Sequence, residues 1–163
     1  MASKVDLFLT PICQFAENIL KACIDTYGDP NAPLFVNALD METYQGAHYD
    51  TADVKVDTIL SNVATHQHLL RLLVGLTELT GQEKYRKAAE AAVSYMFDEV
   101  SDSQGLLFWG GHAAYDLPGH QPVFAGHKGQ DNIYKGRVHE LKCHYPFYNL
   151  MWEVNPDAFK RYV

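Results

Sequence analysis

Apolar residues recur at helical spacing in some stretches of this chain and lose all period in others. Between Ser61 and Val100 the leucines Leu69, Leu72, Leu73, Leu76 and Leu79 stand three and four apart, forming one stripe along a helix. Gly81 follows, where a helix can close on a left-handed residue. From about Gln82 a second stripe, Tyr85, Ala88, Ala89, Ala92, Val93 and Met96, predicts a second helix with Glu83 and Lys87 as an exposed pair. Two helices joined at one glycine make an αα-hairpin, and the alanine face lets them approach closely. Ser61 is the candidate N-cap of the first, although Ala64 at the capping-box position offers no carboxylate or amide. Nearer the start, Ile12, Phe15, Ile19 and Cys23 share a face, predicting a helix from about Pro11 to about Tyr27, stopped by Gly28-Asp29-Pro30.

Residues 29–57 carry little helical period and are punctuated by Pro30, Pro33 and Gly46. Leu34-Phe35-Val36 is a short strand or an extended wall, within what is expected to be a surface excursion packing one aromatic edge. Residues 118–135 hold glycines, prolines and histidines without period and predict a loop. Residues 138–154 resume a helical pattern broken at Pro146, and Asn155-Pro156 starts a further helix. About two turns remain before Val163, too few for a stable isolated helix, so the pattern is that of the N-terminal part of a longer domain. The expected fold is mainly all-α, with antiparallel helix hairpins and long loops.

Composition narrows the function classes. The chain has 163 residues, 47% apolar and 20% charged, the proportions of a globular domain. A formal charge of −7 argues against a nucleic-acid surface, which needs clustered Lys and Arg. It leaves room for an acidic ligand in a locally positive cleft. Three cysteines, Cys13, Cys23 and Cys143, form no C-x-x-C pair and no even framework. No run of about 18 apolar residues marks a membrane span, and no apolar leader precedes a cleavage site. From these features a reduced, cytoplasmic setting is expected, with a periplasmic or secreted one left open.

The chemistry-bearing residues concentrate between Phe108 and Glu153. Phe108-Trp109-Gly110-Gly111-His112 places an imidazole after two glycines, where backbone freedom lets it project into a cleft. His139-Glu140 pairs an imidazole with a carboxylate, and His144 follows five residues after His139. That spacing is not the H-E-x-x-H of zinc proteases. A His and a Glu supply two ligands of a divalent site suited to Mn²⁺ or a similar ion. The bland alternative is core histidines with satisfied hydrogen bonds and a surface carboxylate. Asn62 and His66, four apart, share a face near a helix start, with Arg71 nearby. They are either contacts for an acidic ligand at a helix N-terminus or polar caps for backbone groups.

Several pieces occur together and in order: Ser61-Asn62-Val63-Ala64, Leu79-Thr80-Gly81, Gly105 through His112, His139-Glu140-Leu141-Lys142, His144 through Tyr148, and Leu150 through Pro156. In that order the chain resembles the metal-dependent pectate lyases with an (α/α) toroid catalytic domain. The Trp-Gly-Gly-His and His-Glu-Leu-Lys pieces are the most specific parts of the resemblance, which covers most of the chain. The resemblance implies β-elimination on polygalacturonate, an acidic polysaccharide. A base removes the proton α to the uronate carboxylate, the 4-O-linked sugar leaves, and a divalent cation offsets the charge that develops. It implies His112 and Glu140 as metal ligands, with Mn²⁺ the expected ion and Mg²⁺, Ca²⁺ or Ni²⁺ as alternatives. Asn62, His66, Trp109, His139, Lys142 and Tyr145 are the candidate substrate contacts. The catalytic base it implies is an Arg next to a third ligand His, and no Arg-His pair occurs in this chain. The pair is therefore expected beyond Val163, and residues 1–163 are read as the N-terminal part of the toroid.

Other functions remain open on the residues alone. A carbohydrate-binding or structural module would stack sugars on Trp109, Tyr115, Tyr145 and Tyr148 without chemistry. A toroid glycoside hydrolase or sugar epimerase is the other alternative. A hydrolase would need two carboxylates flanking the bond, with Asp116 and Glu140 available.

Overall fold

The computed structural model describes residues 4–28, 31–51, 54–124 and 144–163. Helix α1 spans Lys4–Ala22. A strand pair follows, β1 over His48–Thr51 and β2 over Val54–Ser61. The helices α2, Gln67–Thr80, and α3, Glu83–Glu99, come next. Strands β3, Ala113–Asp116, and β4, Gln121–Phe124, precede the short helices α4, Tyr148–Val154, and α5, Pro156–Tyr162. The architecture mixes helices with an antiparallel sheet, which corrects the expectation of a mainly all-α chain. Among the described residues the helices form no closed toroid.

The α2–α3 hairpin is the part that hydrophobic spacing predicts well. Leu70, Leu73, Val74 and Leu76 of α2 are buried, as are Tyr85, Ala89, Ala92, Val93 and Met96 of α3. Gly81 adopts φ 71° and its N–H donates to the Thr77 carbonyl at 2.8 Å, closing α2. The Thr77 hydroxyl then donates to the Gln82 carbonyl and accepts the Arg86 N–H, each at 3.0 Å, so one side chain stitches the two helices together. Leu79, predicted in the stripe, is 70% exposed because the helix is closing there. Helix α2 also begins later than the stripe suggests. Ser61 is the last residue of β2, and residues 63–66 form a turn.

The sheet runs β1-β2-β3-β4, every neighbour antiparallel. At the end of β2 the adjacent Ile59 and Leu60 are both buried, so this part of the strand is covered on both faces. The end of β2 lies beside β3, with Leu60 opposite Asp116 and Ser61 opposite Tyr115. Strands β3 and β4 form a hairpin, and β4 lies inside the stretch 118–135 expected to be a loop. Its turn is held by the Asp116 carboxylate, which accepts the Gly119 N–H at 3.1 Å and the Thr58 hydroxyl at 2.6 Å.

The first part of the stretch before β1 is core, whereas residues 37–45 lie mostly at the surface, as expected. Ala32, Leu34, Phe35 and Val36 are all buried. Phe35 bridges Ile24, and the Val36 N–H donates to the Cys23 carbonyl at 2.7 Å. This extended pairing stops α1 at Ala22, short of the predicted Tyr27. The buried carboxylate of Asp25 accepts the N–H groups of Tyr27 and Ala32. The core-facing line of α1 runs through Cys13, Ala16 and Leu20 and continues to Cys23 just past its end, while Phe15 of the predicted line is half exposed. Asn155 caps α5 as the sequence predicts, its side chain accepting the Ala158 N–H at 3.0 Å.

Candidate active site

The stretch from Leu107 to Trp109 enters the core, and all three side chains are buried. Phe108 donates its N–H to the Val100 carbonyl at the end of α3. Gly110 then adopts φ 123°, a region closed to ordinary side chains, and the chain turns outward through Gly111 and His112 before β3 begins. His112 is exposed on this turn.

Asn62 ties the turn down. Its Nδ2 donates to the Gly110 carbonyl at 3.1 Å and to the Ala113 carbonyl at 3.0 Å. Its Oδ1 accepts the N–H groups of Ala64 at 3.0 Å and Thr65 at 3.2 Å. Both amide hydrogens and both lone pairs are thus in use on a side chain that is buried. Asn62 holds backbone, and no polar atom remains on it for a substrate.

His66 precedes α2, and its half-buried ring stands edge-on to Phe35 at 6.1 Å. Burial holds its pKa down at about 4, only partly offset by the hydrogen bond to the Val36 backbone. The ring helps line an apolar hollow of about 300 Å³ with Cys23, Leu39, Met41 and Leu69. A neutral imidazole on an apolar wall is poorly suited to grip a uronate. Trp109, a further expected sugar contact, is 1% exposed and packs against Tyr162 at 6.2 Å, so its ring belongs to the core. Tyr115 is buried as well, its hydroxyl 3.1 Å from that of Tyr95. Burial pushes the Tyr115 phenol well above its ordinary range.

Tyr145 is placed differently. It is 72% exposed and stands edge-on to Tyr148 at 5.5 Å. Its backbone is gripped from α2. The Arg71 guanidinium donates to the carbonyls of Tyr145 at 2.9 Å and Pro146 at 2.8 Å, and lies 5.0 Å from the Phe147 ring. Gln67 is fully buried; it donates to the Val63 carbonyl and accepts the Phe147 N–H at 2.8 Å. Sequence reasoning did not single out Gln67. Its one visible signal is a polar residue in register with Leu70 and Val74 on the buried face of α2. His144, just before this segment, has φ 53° and faces His68 with ring centroids 6.2 Å apart.

His139, Glu140 and Lys142 lie outside the described residues. Among the described residues no group of three or more His, Cys, Asp or Glu side chains converges to hold a metal. His112 fits the part of a single ligand, being an exposed imidazole on a turn tied at both ends. Any partner ligands must come from elsewhere. Asp116, the second carboxylate a hydrolase would need, is 5% exposed and occupied with the β3–β4 turn.

The frame is a helical hairpin and a small sheet, with Asn62 holding the His112 turn and Gln67 and Arg71 holding the segment at Tyr145. The chain belongs to the periplasmic pectate lyase family, whose model matches residues 32–163. A pectate disaccharide-lyase of Dickeya dadantii (strain 3937) is 31% identical over 132 residues, 80% of this chain and 23% of the relative. The chain therefore spans about a quarter of the length of that relative. The family is described as periplasmic, which overturns the cytoplasmic expectation. That expectation rested on the cysteine pattern and on a leader not being seen, and neither observation carries a location.

Proposed function

We propose that the protein to which this chain belongs is a pectate lyase that cleaves polygalacturonate by metal-assisted β-elimination. The carrying observation is the His112 turn. Within the stretch matched to the family, an exposed imidazole stands on a glycine-shaped turn whose two ends are hydrogen-bonded to one buried amide. That arrangement suits a metal ligand, which must be both accessible and fixed. The named relative supports the reaction class, since its name describes a lyase acting on pectate.

In this reading His112 and Glu140 hold a divalent cation, Mn²⁺ being the expected ion. The cation supplies positive charge at the uronate carboxylate, where negative charge grows as the α-proton leaves. The base that takes this proton is an Arg beside a further His, a pair this chain does not contain. Tyr145, with the Arg71 cation fixed beside its backbone, offers an apolar ring and a positive charge to an acidic sugar. His139 and Lys142 complete the proposed substrate contacts; the buried Asn62 and Trp109 and the neutral His66 drop out. The α2–α3 hairpin is then one unit of an (α/α) toroid in the whole protein.

The test is Mn²⁺ affinity in His112→Ala and Glu140→Ala variants of the whole natural polypeptide. Each change should weaken binding at least tenfold while leaving helical content unchanged. Affinity equal to the parent in both variants would sink the assignment. Collapse of the fold in both would favour a structural role for these residues.

A further inference from the structure

The stretch 62–71 does more than begin a helix. It reaches two segments that are far apart in sequence. Asn62 holds the carbonyls of Gly110 and Ala113, which bracket Gly111 and His112. Gln67 and Arg71 hold the backbone of residues 145–147. Asn62 is itself anchored twice. Its Oδ1 caps the turn leading into α2, and its neighbour Ser61 pairs with Tyr115 in the strand that follows His112. The turn it holds contains two glycines, the residues that lose most conformational freedom on ordering, so it needs an external restraint to stay in one shape.

We propose that Asn62 is a positioning residue for His112: by latching the carbonyls on either side of the turn, it fixes the imidazole relative to α2 and β2 and so presets the metal site. This rests on the reading of His112 as a ligand. Asn62 contacts neither metal nor sugar; it acts through the turn. The amide is suited to this because it offers two donors to two carbonyls while keeping an acceptor for two N–H groups. Neither Asp nor Ser can do both.

That difference supplies the experiment. Asn62→Asp in the whole natural polypeptide keeps the oxygen that caps Ala64 and Thr65, but sets an acceptor against two carbonyl oxygens. Asn62→Ser keeps a short cap and reaches neither carbonyl, and is read if the Asp variant does not fold. The expected result is a 10- to 100-fold loss of Mn²⁺ affinity, roughly what removing an outer-shell partner costs, with helical content retained. In metal-free protein selectively labelled at histidine, the His112 amide resonance should shift and broaden in the variant. A folded variant with parental Mn²⁺ affinity and an unchanged His112 resonance overturns the proposal. His112→Ala, measured alongside, separates the two claims. If it leaves Mn²⁺ affinity intact, the metal reading fails, and the latch is judged on the His112 resonance alone: unchanged resonance overturns it, and a shifted one upholds it.

Discussion

His66 shows how strongly one pocket can decide what a side chain does. Its imidazole would titrate near 6.5 in the unfolded chain and is held at about 4 in the folded one by burial. The folded state thus resists a proton that the unfolded state accepts, so stability is complete above pH 6.5 and falls as the pH drops toward 4. The full shift corresponds to about 3 kcal/mol, an upper figure for a ring that is only partly enclosed. Thermal unfolding followed from pH 6.5 to 5 should show a falling Tm that flattens in His66→Gln, which keeps a donor for the Val36 carbonyl and cannot titrate. A parallel slope in parent and variant would place the effect elsewhere. Glu17 and Asp40, both held below the usual carboxylate range by hydrogen bonds, lose their contributions only nearer pH 4, outside this window. Residue chemistry of this kind was half visible in the sequence. The glycine pair before His112 announced an exposed imidazole, because glycines at a turn have few other uses. Asn62 and His66 were placed correctly near a helix start, but spacing cannot tell an amide that binds backbone from one that binds a ligand. Trp109 looked like a sugar platform and is core, since an aromatic in a short apolar run serves either purpose equally well.

The hairpin of α2 and α3 was legible because its signals agree: a leucine stripe, an alanine stripe and a glycine between them. Gly81 carries the junction, with φ 71° and open space where a Cβ would project. Gly81→Ala therefore adds no clash and only the strain of a left-handed residue, about 1 kcal/mol. A Tm lower by roughly 2–4 °C is expected for a domain of this size, with the circular dichroism of the folded state unchanged. An unaltered Tm would mean that the junction relaxes out of its left-handed shape. The sheet was not legible, for reasons its pairing makes plain. Strands β1, β3 and β4 have four residues each, too few for alternation to stand out. Strand β2 is longer, but its last residue, Ser61, also resembles a helix cap. Its pairing with β3 joins residues more than fifty positions apart, a contact no local pattern reveals. Residues 32–36 misled for a related reason. Extended chain buried on both sides has no period to read, and Pro30 and Pro33 suggested a surface loop.

At the scale of the molecule, a chain of net charge −7 is proposed to act on a polyanion. Repulsion between the two is screened over about 8 Å at physiological salt, so attraction must be local. The bound cation, Arg71 beside Tyr145 and Lys142 would supply it. One stretch, residues 62–71, holds both the His112 turn and the segment at Tyr145, and it would frame the proposed site. Family membership was legible in the ordered motifs, because Gly-Gly-His and His-Glu-Leu-Lys combine residue types that a scaffold alone has little reason to keep together. The most direct test uses the whole natural polypeptide, polygalacturonate and Mn²⁺, and follows ultraviolet absorbance at the unsaturated-uronate band. Elimination leaves a conjugated double bond, so absorbance should rise with the parent protein and fail to rise with His112→Ala. New reducing ends formed without that absorbance would mean hydrolysis, and would contradict the account.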